Sequence, residues 1–203
     1  MQTSETALRR AVFLDRDGVL IRDTATYIRT VSDIDILPGA PESVSAIRRA
    51  GFLAVVVTNQ AAIAHGYITE ATLRALHQRM KAMLLDRNKG ASLDRIYHCP
   101  YHPDGKVPRY TRNSSFRKPR PGMLLKAARE LGLDLASSYF IGDREIDIEA
   151  ALAVGCTPVL VTTGPVSPDL SNWTVQPAFV AGSIEAATKW ILRNEGREWE
   201  SHK

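Results

Sequence analysis

The sequence is poor in cysteine and has no long apolar run. Its two cysteines, Cys99 and Cys156, cannot build a disulfide framework and favour a reducing compartment. The apolar run at 11–14 stops at Asp15, which makes it too short for a signal peptide, and no later run reaches the length of a membrane span. We therefore expect a cytoplasmic protein with no membrane partner.

The sequence also lacks a dense basic arm. Its 26 Lys and Arg residues against 22 Asp and Glu residues give a formal net charge of +4 that is spread along the chain. This charge suits a small anionic ligand, and no nucleic-acid partner is expected. Hydrophobic residues at 44% and charged residues at 24% exclude a wholly disordered or fibrous chain. We expect residues 1–203 to form a single domain, and we favour a monomer.

Short apolar runs alternate with segments of helical periodicity. The runs typical of strands are 11–14, 53–57, 95–99, 139–141 and 158–161. The helical segments are 41–50, a helix capped by Thr69 that reaches Leu84, 122–131, 144–154, and a last helix that begins at Ser183. This order predicts βαβ units, and therefore an α/β fold with a doubly wound, mostly parallel sheet.

Two segments do not fit the alternation. Residues 19–37 are interpreted as an extended flap or hairpin, and residues 100–120 form a long loop with four prolines and six basic residues. Neither is large enough for a separate cap domain, and the polar tail 194–203 is expected to fray. Ligands of doubly wound sheets bind beyond the carboxyl ends of the strands, so the residues that follow the strands are the functional candidates.

Acidic residues follow two of the predicted strands. Asp15 and Asp17 come directly after the first, while Asp143 and Asp147 follow the fourth with one helical turn between them. A carboxylate at a strand end can attack phosphorus, and its neighbour can protonate the leaving oxygen. Each pair taken singly also fits a turn or a helix cap.

Amide, hydroxyl and basic side chains occupy the other strand ends. Thr58, Asn59 and Gln60 follow the second strand, where they can donate hydrogen bonds to phosphoryl oxygens or simply cap a loop. Arg117 and Lys118 precede a helix. A lysine there can neutralise a transferring phosphate and an arginine can bind a second one, although a solvated basic loop is the common alternative.

The motifs indicate a function when they are taken together in this order, although each is a weak indication alone. If the strands are parallel neighbours, Asp15, Asp17 and Asp143 converge on one crevice. Two carboxylates about 4 Å apart repel by roughly 4 kcal/mol at an effective dielectric constant near 20, so such a cluster needs a cation. Oxygen ligands select a hard ion such as Mg²⁺. Together with the lysine and the neutral donors, this arrangement predicts phosphoryl transfer.

The motifs resemble the haloacid dehalogenase superfamily of phosphatases. The resemblance rests on Phe-Leu-Asp-Arg-Asp-Gly from residue 13, Val-Val-Thr-Asn-Gln from 56, Arg-Lys-Pro-Arg-Pro-Gly from 117 and Gly-Asp-x-x-x-Asp from 142. Within the superfamily, they resemble a capless branch that includes phosphatases of heptose bisphosphate and of histidinol phosphate. The resemblance implies an Mg²⁺-dependent enzyme that removes the 7-phosphate of D-glycero-D-manno-heptose 1,7-bisphosphate through an aspartyl-phosphate intermediate.

The resemblance also implies roles for individual residues. Asp15 would be the nucleophile and Asp17 the general acid and base. The metal ligands would be the carboxylates of Asp15 and Asp143 and the backbone carbonyl of Asp17, with Asp147 supporting the site from behind. The residues that would hold the transferring phosphoryl group are Thr58, Asn59 and Lys118. Those that would contact the rest of the small sugar phosphate are Asp23, Tyr27, Gln60, Arg117 and Arg144.

Enzymes of this branch usually carry a zinc-binding loop, from which this sequence departs. The usual Cys-x-His pair is Cys99-Pro100-Tyr101 here, and the usual Cys-x-Cys pair is Ser114-Ser115-Phe116. One cysteine and the displaced His102 cannot complete a tetrahedral site, so we predict no structural zinc. Packing is then expected to hold the loop, with Tyr101, Tyr110 and Phe116 as anchors.

Other functions fit parts of the pattern. An open site without a cap also suits histidinol phosphate, another small sugar phosphate or, less well, a polynucleotide 3′-phosphate. A signalling receiver module likewise uses a phospho-accepting Asp, metal-binding acids, Thr and Lys. Receivers place that Asp near the middle of the chain, whereas Asp15 comes first here and is followed by a second acid suited to protonate a leaving group.

Overall fold

Six strands and five α-helices alternate along the parts of the chain that a computed structural model describes, residues 8–24, 26–165 and 168–199. The strands are β1 (Ala11–Leu14), β2 (Leu53–Asn59), β3 (Arg95–Cys99), β4 (Tyr139–Gly142), β5 (Thr157–Val161) and β6 (Phe179–Ala181). The helices are α1 (Ala40–Arg49), α2 (Glu70–Arg87), α3 (Gly122–Leu131), α4 (Glu145–Leu152) and α5 (Ile184–Asn194). Ala25 of the predicted flap and residues 200–203 of the predicted tail lie outside the described residues.

All six strands run parallel in one sheet of order β3-β2-β1-β4-β5-β6. The first strand of the chain lies in the middle, where Phe13 is in register with Val55 of β2 on one side and Phe140 of β4 on the other. The order reverses at β1, which is the topological switch point of a doubly wound sheet. The predicted α/β fold class is therefore confirmed.

Apolar layers cover both faces of the sheet. Val12 and Leu14 point into a core formed with α1, α2 and α5, whereas Ala11 and Phe13 point into a second core formed with α3 and α4. This alternation follows from the two-residue period of a strand. Both faces of β1 are fully buried, and its continuous apolar sequence has the pattern of a central parallel strand.

Three elements differ from the sequence prediction. β2 continues beyond residue 57 to include Thr58 and Asn59, which pair with His98 and Cys99 of β3. The short strand β6 was not predicted, because three residues with an exposed Val180 show no apolar alternation. α2 runs three residues past its predicted end at Leu84, to Arg87, and the other predicted strands and helices lie within two residues of their predicted bounds.

The two irregular segments are tied to the body of the protein. In residues 19–37, Ile21 and Ile36 form an isolated antiparallel bridge, and a short 3₁₀ helix spans Val31–Asp33. In residues 100–120, the backbone N–H groups of Lys106 and Val107 donate to the carbonyl of Ala64 at 2.7 and 2.9 Å. No helix in the described ranges is long and apolar enough to cross a membrane. The single domain over residues 1–203 stays a prediction.

Candidate active site

Asp15 lies where β1 ends, at the carboxyl edge of the sheet. Its backbone N–H still pairs with β4, donating to the carbonyl of Ile141 at 3.0 Å, so the strand fixes the position of the side chain. One carboxylate oxygen, Oδ1, accepts the backbone N–H of Arg16 at 2.7 Å and lies 3.0 Å from Nζ of Lys118. Burial, opposed by the Lys118 charge, raises the pKa of Asp15 to about 7.

The ammonium of Lys118 is buried and has three acceptors around it. Its Nζ lies 3.0 Å from Oδ1 of Asp15 and 2.6 Å from Oδ1 of Asp147, and it donates to the carbonyl of Val57 at 3.0 Å. The ammonium is therefore held by two ion pairs and one hydrogen bond. Burial alone would lower the pKa of Lys118, but the carboxylates of Asp147 and Asp15 reverse the effect and raise it.

The side chain of Asn59 holds the backbone of Lys118. Its Oδ1 accepts the Lys118 N–H at 3.0 Å, and its Nδ2 donates to the Lys118 carbonyl at 3.1 Å. The side-chain amide of Asn59 thus pairs with both backbone polar groups of Lys118, as the backbone of a neighbouring strand would.

Asp143 follows β4 and has no hydrogen-bond partner for either carboxylate oxygen among the described residues. Two glycines make room for it, because a Cβ added at Gly18 or at Gly164 would clash with its carboxylate. Nε of Arg144 lies 3.8 Å from Oδ2 of Asp143. Burial, with Asp15 and Asp147 nearby, raises the pKa of Asp143 to about 8.

The cluster of acids has the character of a cation site. Carboxylate oxygens of Asp15, Asp143 and Asp147 all lie within 4.8 Å of one another, and Lys118 is the only cation that neutralises them at hydrogen-bond distance among the described residues. The two partnerless oxygens of Asp143 and the all-oxygen donor set fit Mg²⁺. Asp147 is part of this cluster, and the side chain of Asp17 is not.

The carboxylate of Asp17 points instead at two other residues. The guanidinium of Arg16 donates to both of its oxygens, with distances of 2.9 to 3.2 Å, and Nε2 of Gln60 donates to Oδ2 at 3.0 Å. The same Nε2 donates to Oγ1 of Thr58 at 2.9 Å. Thr58 is buried, and its hydroxyl is engaged by Gln60.

A cavity of about 320 Å³ opens above these residues. Its floor includes Asp15, Asp17 and Lys118, and the predicted flap closes one side. Arg144 reaches across it, because its Nη2 lies 2.6 Å from Oδ2 of Asp23. The other residues of the wall are Arg16, Thr24, Thr26, Tyr27, Ile28, Asn59, Gln60 and Ile146.

The comparisons with known proteins agree with this geometry. Residues 115–187 match a family model described as HAD-hydrolase-like. The chain is 40% identical over 185 residues to the D-glycero-β-D-manno-heptose-1,7-bisphosphate 7-phosphatase of Yersinia pestis, with 91% of this chain and 90% of that protein covered. Against the enzyme of the same name from Escherichia coli (strain K12), identity is 42% over 164 residues, covering 80% of this chain and 84% of the relative. The chain belongs to the haloacid dehalogenase superfamily of phosphatases.

A solved structure of the superfamily matches the fold as well. The D,D-heptose 1,7-bisphosphate phosphatase of B. bronchiseptica, complexed with magnesium and phosphate, superimposes with a TM-score of 0.81 at 31% identity, over 91% of this chain and 99% of that one. The resemblance recognised in the sequence is therefore confirmed. Membership of a phosphatase superfamily decides against the receiver module.

The phosphatase brings most of the predicted site residues to one cavity, with three exceptions. Thr58, Asp143 and Arg117 do not line this cavity: Thr58 is buried and its hydroxyl accepts from Gln60, and Asp143 lines a neighbouring cavity beside Arg144 and Glu145. The Arg117 guanidinium donates to the carbonyl of Tyr101 at 3.4 Å. Its predicted contact with substrate thus has no counterpart in the cavity wall and stays a prediction.

Sequence reasoning missed one charged residue of this haloacid dehalogenase-type site. Arg16 was not singled out, because a basic residue beside two acids usually lies on a solvated surface. In the structure it is only 3% exposed. The available signal was its position between Asp15 and Asp17, two acids that were both predicted to face the site.

Proposed function

We propose that this phosphatase removes the 7-phosphate of D-glycero-D-manno-heptose 1,7-bisphosphate in a reaction that depends on Mg²⁺. The observation that carries the proposal is the meeting of Asp15, Asp17 and Lys118 on the floor of one cavity, with a carboxylate oxygen of Asp143 within 4.8 Å of one of Asp15. The names of the Yersinia and Escherichia relatives support the heptose substrate. A cavity of about 320 Å³ suits a sugar phosphate of this size.

The first half of the reaction would transfer the phosphoryl group to the protein. A carboxylate oxygen of Asp15 attacks phosphorus, the bond from phosphorus to the C7 oxygen breaks, and Asp17 gives its proton to that oxygen. Lys118 neutralises charge on the phosphoryl oxygens, and Asn59 keeps the lysine backbone in place.

The second half would return the protein to its starting state. Water attacks the phosphorus of the aspartyl phosphate, Asp17 takes a proton from it, and inorganic phosphate leaves with the Asp15 carboxylate restored. The residues that would hold Mg²⁺ are Asp15 and Asp143 with their carboxylates and Asp17 with its backbone carbonyl. Bound there, the ion neutralises phosphate charge and the repulsion among the acids.

The rest of the substrate would lie against the flap. Arg144 offers a cation toward the second phosphate, and its ion pair with Asp23 joins α4 to the flap over the cavity. Tyr27 contributes an aromatic wall. The cytoplasmic location, the monomeric state and the absence of structural zinc stay predictions.

The test is phosphate release from a panel of monoesters, with Mg²⁺ or EDTA present. The panel contains both anomers of the heptose bisphosphate, other sugar bisphosphates, histidinol phosphate and 3′-phosphorylated DNA. We expect the heptose bisphosphate to give the highest kcat/KM and EDTA to abolish turnover. Preference for histidinol phosphate or for DNA ends would contradict the proposed substrate while leaving the phosphatase intact.

Asp15→Asn tests the nucleophile. We expect kcat to fall by roughly three orders of magnitude or more, because an amide cannot form the acyl phosphate. The matched control is Asp86→Asn, the same change at an exposed position of α2, which should keep wild-type activity. Wild-type turnover by Asp15→Asn would exclude Asp15 as the nucleophile.

A further inference from the structure

The residue between the two catalytic acids is a buried arginine. Arg16 is 3% exposed, and its guanidinium binds both carboxylate oxygens of Asp17 through Nε at 3.2 Å and Nη2 at 2.9 and 3.0 Å. Such a two-pronged contact fixes the plane and the direction of a carboxylate, which a single point charge does not do.

The third nitrogen of this guanidinium faces a histidine. Nη1 of Arg16 lies 3.3 Å from Nε2 of His77, a buried residue on α2. Burial, together with the charge of Arg16 and the nearby His98, lowers the pKa of His77 to about 3. The imidazole is therefore neutral, and a neutral imidazole has one nitrogen that can accept the Arg16 hydrogen bond.

These contacts form a line from α2 to the reaction centre. His77 receives one end of the Arg16 guanidinium, Arg16 presents its other edge to Asp17, and Gln60 holds Oδ2 of Asp17 from the opposite side. No other hydrogen bond to the Asp17 carboxylate occurs among the described residues. The direction of this carboxylate thus depends on Arg16 and Gln60.

We propose that Arg16 is the positioning residue that aims Asp17 at the leaving oxygen, and that His77 in turn fixes Arg16. The inference rests on the proposed function, in which Asp17 gives a proton to that oxygen. A proton donor works only within hydrogen-bond reach of its target, so a carboxylate that turns away from the ester oxygen slows the step that needs the proton.

A comparison of two substrates that differ in their leaving group distinguishes this positioning role from a merely structural one. An alkoxide, as released from a sugar phosphate, needs a proton, whereas p-nitrophenolate leaves well without one. A variant in which Asp17 is misdirected should therefore lose its first turnover on the sugar phosphate and keep it on p-nitrophenyl phosphate. A variant that damages the site in general should lose both.

The experiment measures first-turnover rates of both substrates for four variants with Mg²⁺ present. Arg16→Lys keeps the charge but removes the fork, and we expect its sugar phosphate rate to fall roughly 10- to 100-fold and its p-nitrophenyl phosphate rate to stay within about threefold of the wild type. His77→Leu removes the acceptor and should show the same selective loss. His77→Gln, which restores an acceptor oxygen, should recover most of the rate.

The control is His98→Gln. Its ring lies beside that of His77, with centroids 5.9 Å apart, but has no hydrogen bond to Arg16, so both rates should remain at the wild-type level. Should Arg16→Lys fail to fold, the comparison of His77→Leu with His77→Gln carries the test.

The outcomes separate this inference from the proposed function. Equal losses on both substrates, or wild-type rates for Arg16→Lys and His77→Leu, would overturn the positioning role. A wild-type enzyme that ignores heptose bisphosphate but hydrolyses another sugar phosphate would overturn the substrate assignment only, because the ratio of the two rates can be measured with any alkyl monoester.

Discussion

At the scale of single residues, the acids around Asp15 are only partly compensated. Lys118 pairs with Asp15 and Asp147, whereas both oxygens of Asp143 lack hydrogen bonds among the described residues. A buried charge without partners is costly to keep ionised. The fold without a divalent ion therefore carries an electrostatic cost at Asp143 that a cation would relieve.

Asp143→Asn should separate stability from metal binding. Burial and the neighbouring acids raise the pKa of Asp143 to about 8, which means that at neutral pH a carboxyl that is ionised in the unfolded chain must take up a proton on folding, at a cost in stability. In EDTA we expect the variant to melt at a higher temperature than the wild type, by roughly 2–4 °C per kcal/mol gained. Mg²⁺ should stabilise the wild type and not the variant. Asp86→Asn serves as the control, and an equal Mg²⁺ response in Asp143→Asn would refute the ligand assignment.

His77 predicts a measurable dependence of stability on pH. Its pKa is about 3 in the folded protein against the ordinary 6.5. Between these two pH values the imidazole is protonated in the unfolded chain and neutral in the folded protein. The stability linked to the neutral imidazole is therefore complete above pH 6.5 and is lost as the pH falls toward 3. Between pH 6.5 and 5 the loss amounts to about 2 kcal/mol.

Urea unfolding at pH 7.5 and pH 5 measures this effect. The difference in unfolding free energy between the two pH values should be about 2 kcal/mol larger for the wild type than for His77→Gln, which has no proton to bind. Using the variant as the reference cancels the contribution of the acids. An identical pH response of the two proteins would show that His77 is not buried in its neutral form.

The sequence predicted single residues well where a strand end fixed them. Asp15 and Asp143 are close together because the strands that precede them, β1 and β4, end at the same edge of the sheet. Lys118 joins them because it precedes α3, which begins at that edge. The inward turn of Arg16 could not be predicted, since it depends on an acceptor from α2 that lies far along the chain. Long-range partners of polar side chains leave no periodic trace in a sequence.

At the scale of elements, packing and hydrogen bonds hold the loop 100–120. The guanidinium of Arg112 lies 3.9 Å from the centre of the Tyr101 ring, and the hydroxyl of Tyr110 donates to Oε1 of Glu70 at 2.9 Å. Phe116 packs against the core that contains α3. Tyr101 also packs against the core, so all three predicted anchors are in contact with the body of the protein, and the loop includes Lys118.

We expect this loop to keep its structure without zinc. Elemental analysis of the purified protein should find no stoichiometric zinc, and a zinc-selective chelator with Mg²⁺ kept in the buffer should leave the melting temperature unchanged. Tyr110→Phe, which removes the bond to Glu70, should lower the unfolding free energy by about 1 kcal/mol. One tightly bound zinc per chain would contradict the packing explanation.

The bounds of a helix or strand could be predicted where its apolar pattern was clear. The bounds of β1, β3 and α3 agree with the sequence because apolar runs or periodic faces end there at polar, proline or glycine residues. The end of β2 was missed because Thr58 and Asn59 are polar and yet remain in the ladder with β3. The end of such a strand is set by backbone hydrogen bonding, which leaves no pattern in the side chains.

At the scale of the whole molecule, the two cores are coupled through shared strands. Phe13 packs on one face of β1 and Leu14 on the other, so neither layer can open without disturbing the same backbone. This arrangement supports the prediction of one domain. It also predicts a single cooperative unfolding transition.

Tryptophan fluorescence and far-ultraviolet circular dichroism can test that cooperativity. Trp173, Trp190 and Trp199 all lie in the last third of the chain, whereas circular dichroism reports on every helix and strand. We expect the two urea transitions to coincide, with a midpoint that does not change with protein concentration, as for a monomer. Separate transitions would contradict the single domain, and a midpoint that rises with concentration would contradict the monomer.

The central place of β1 has a consequence for synthesis on the ribosome. β1 emerges first, but β4, its second neighbour in the sheet, emerges only after more than half of the chain has been translated. Until then one side of the nascent strand stays open to chaperones or to wrong partners. A prematurely terminated product that lacks β4 also lacks Asp143, so translation errors upstream of that point yield inert polypeptides that quality control must remove.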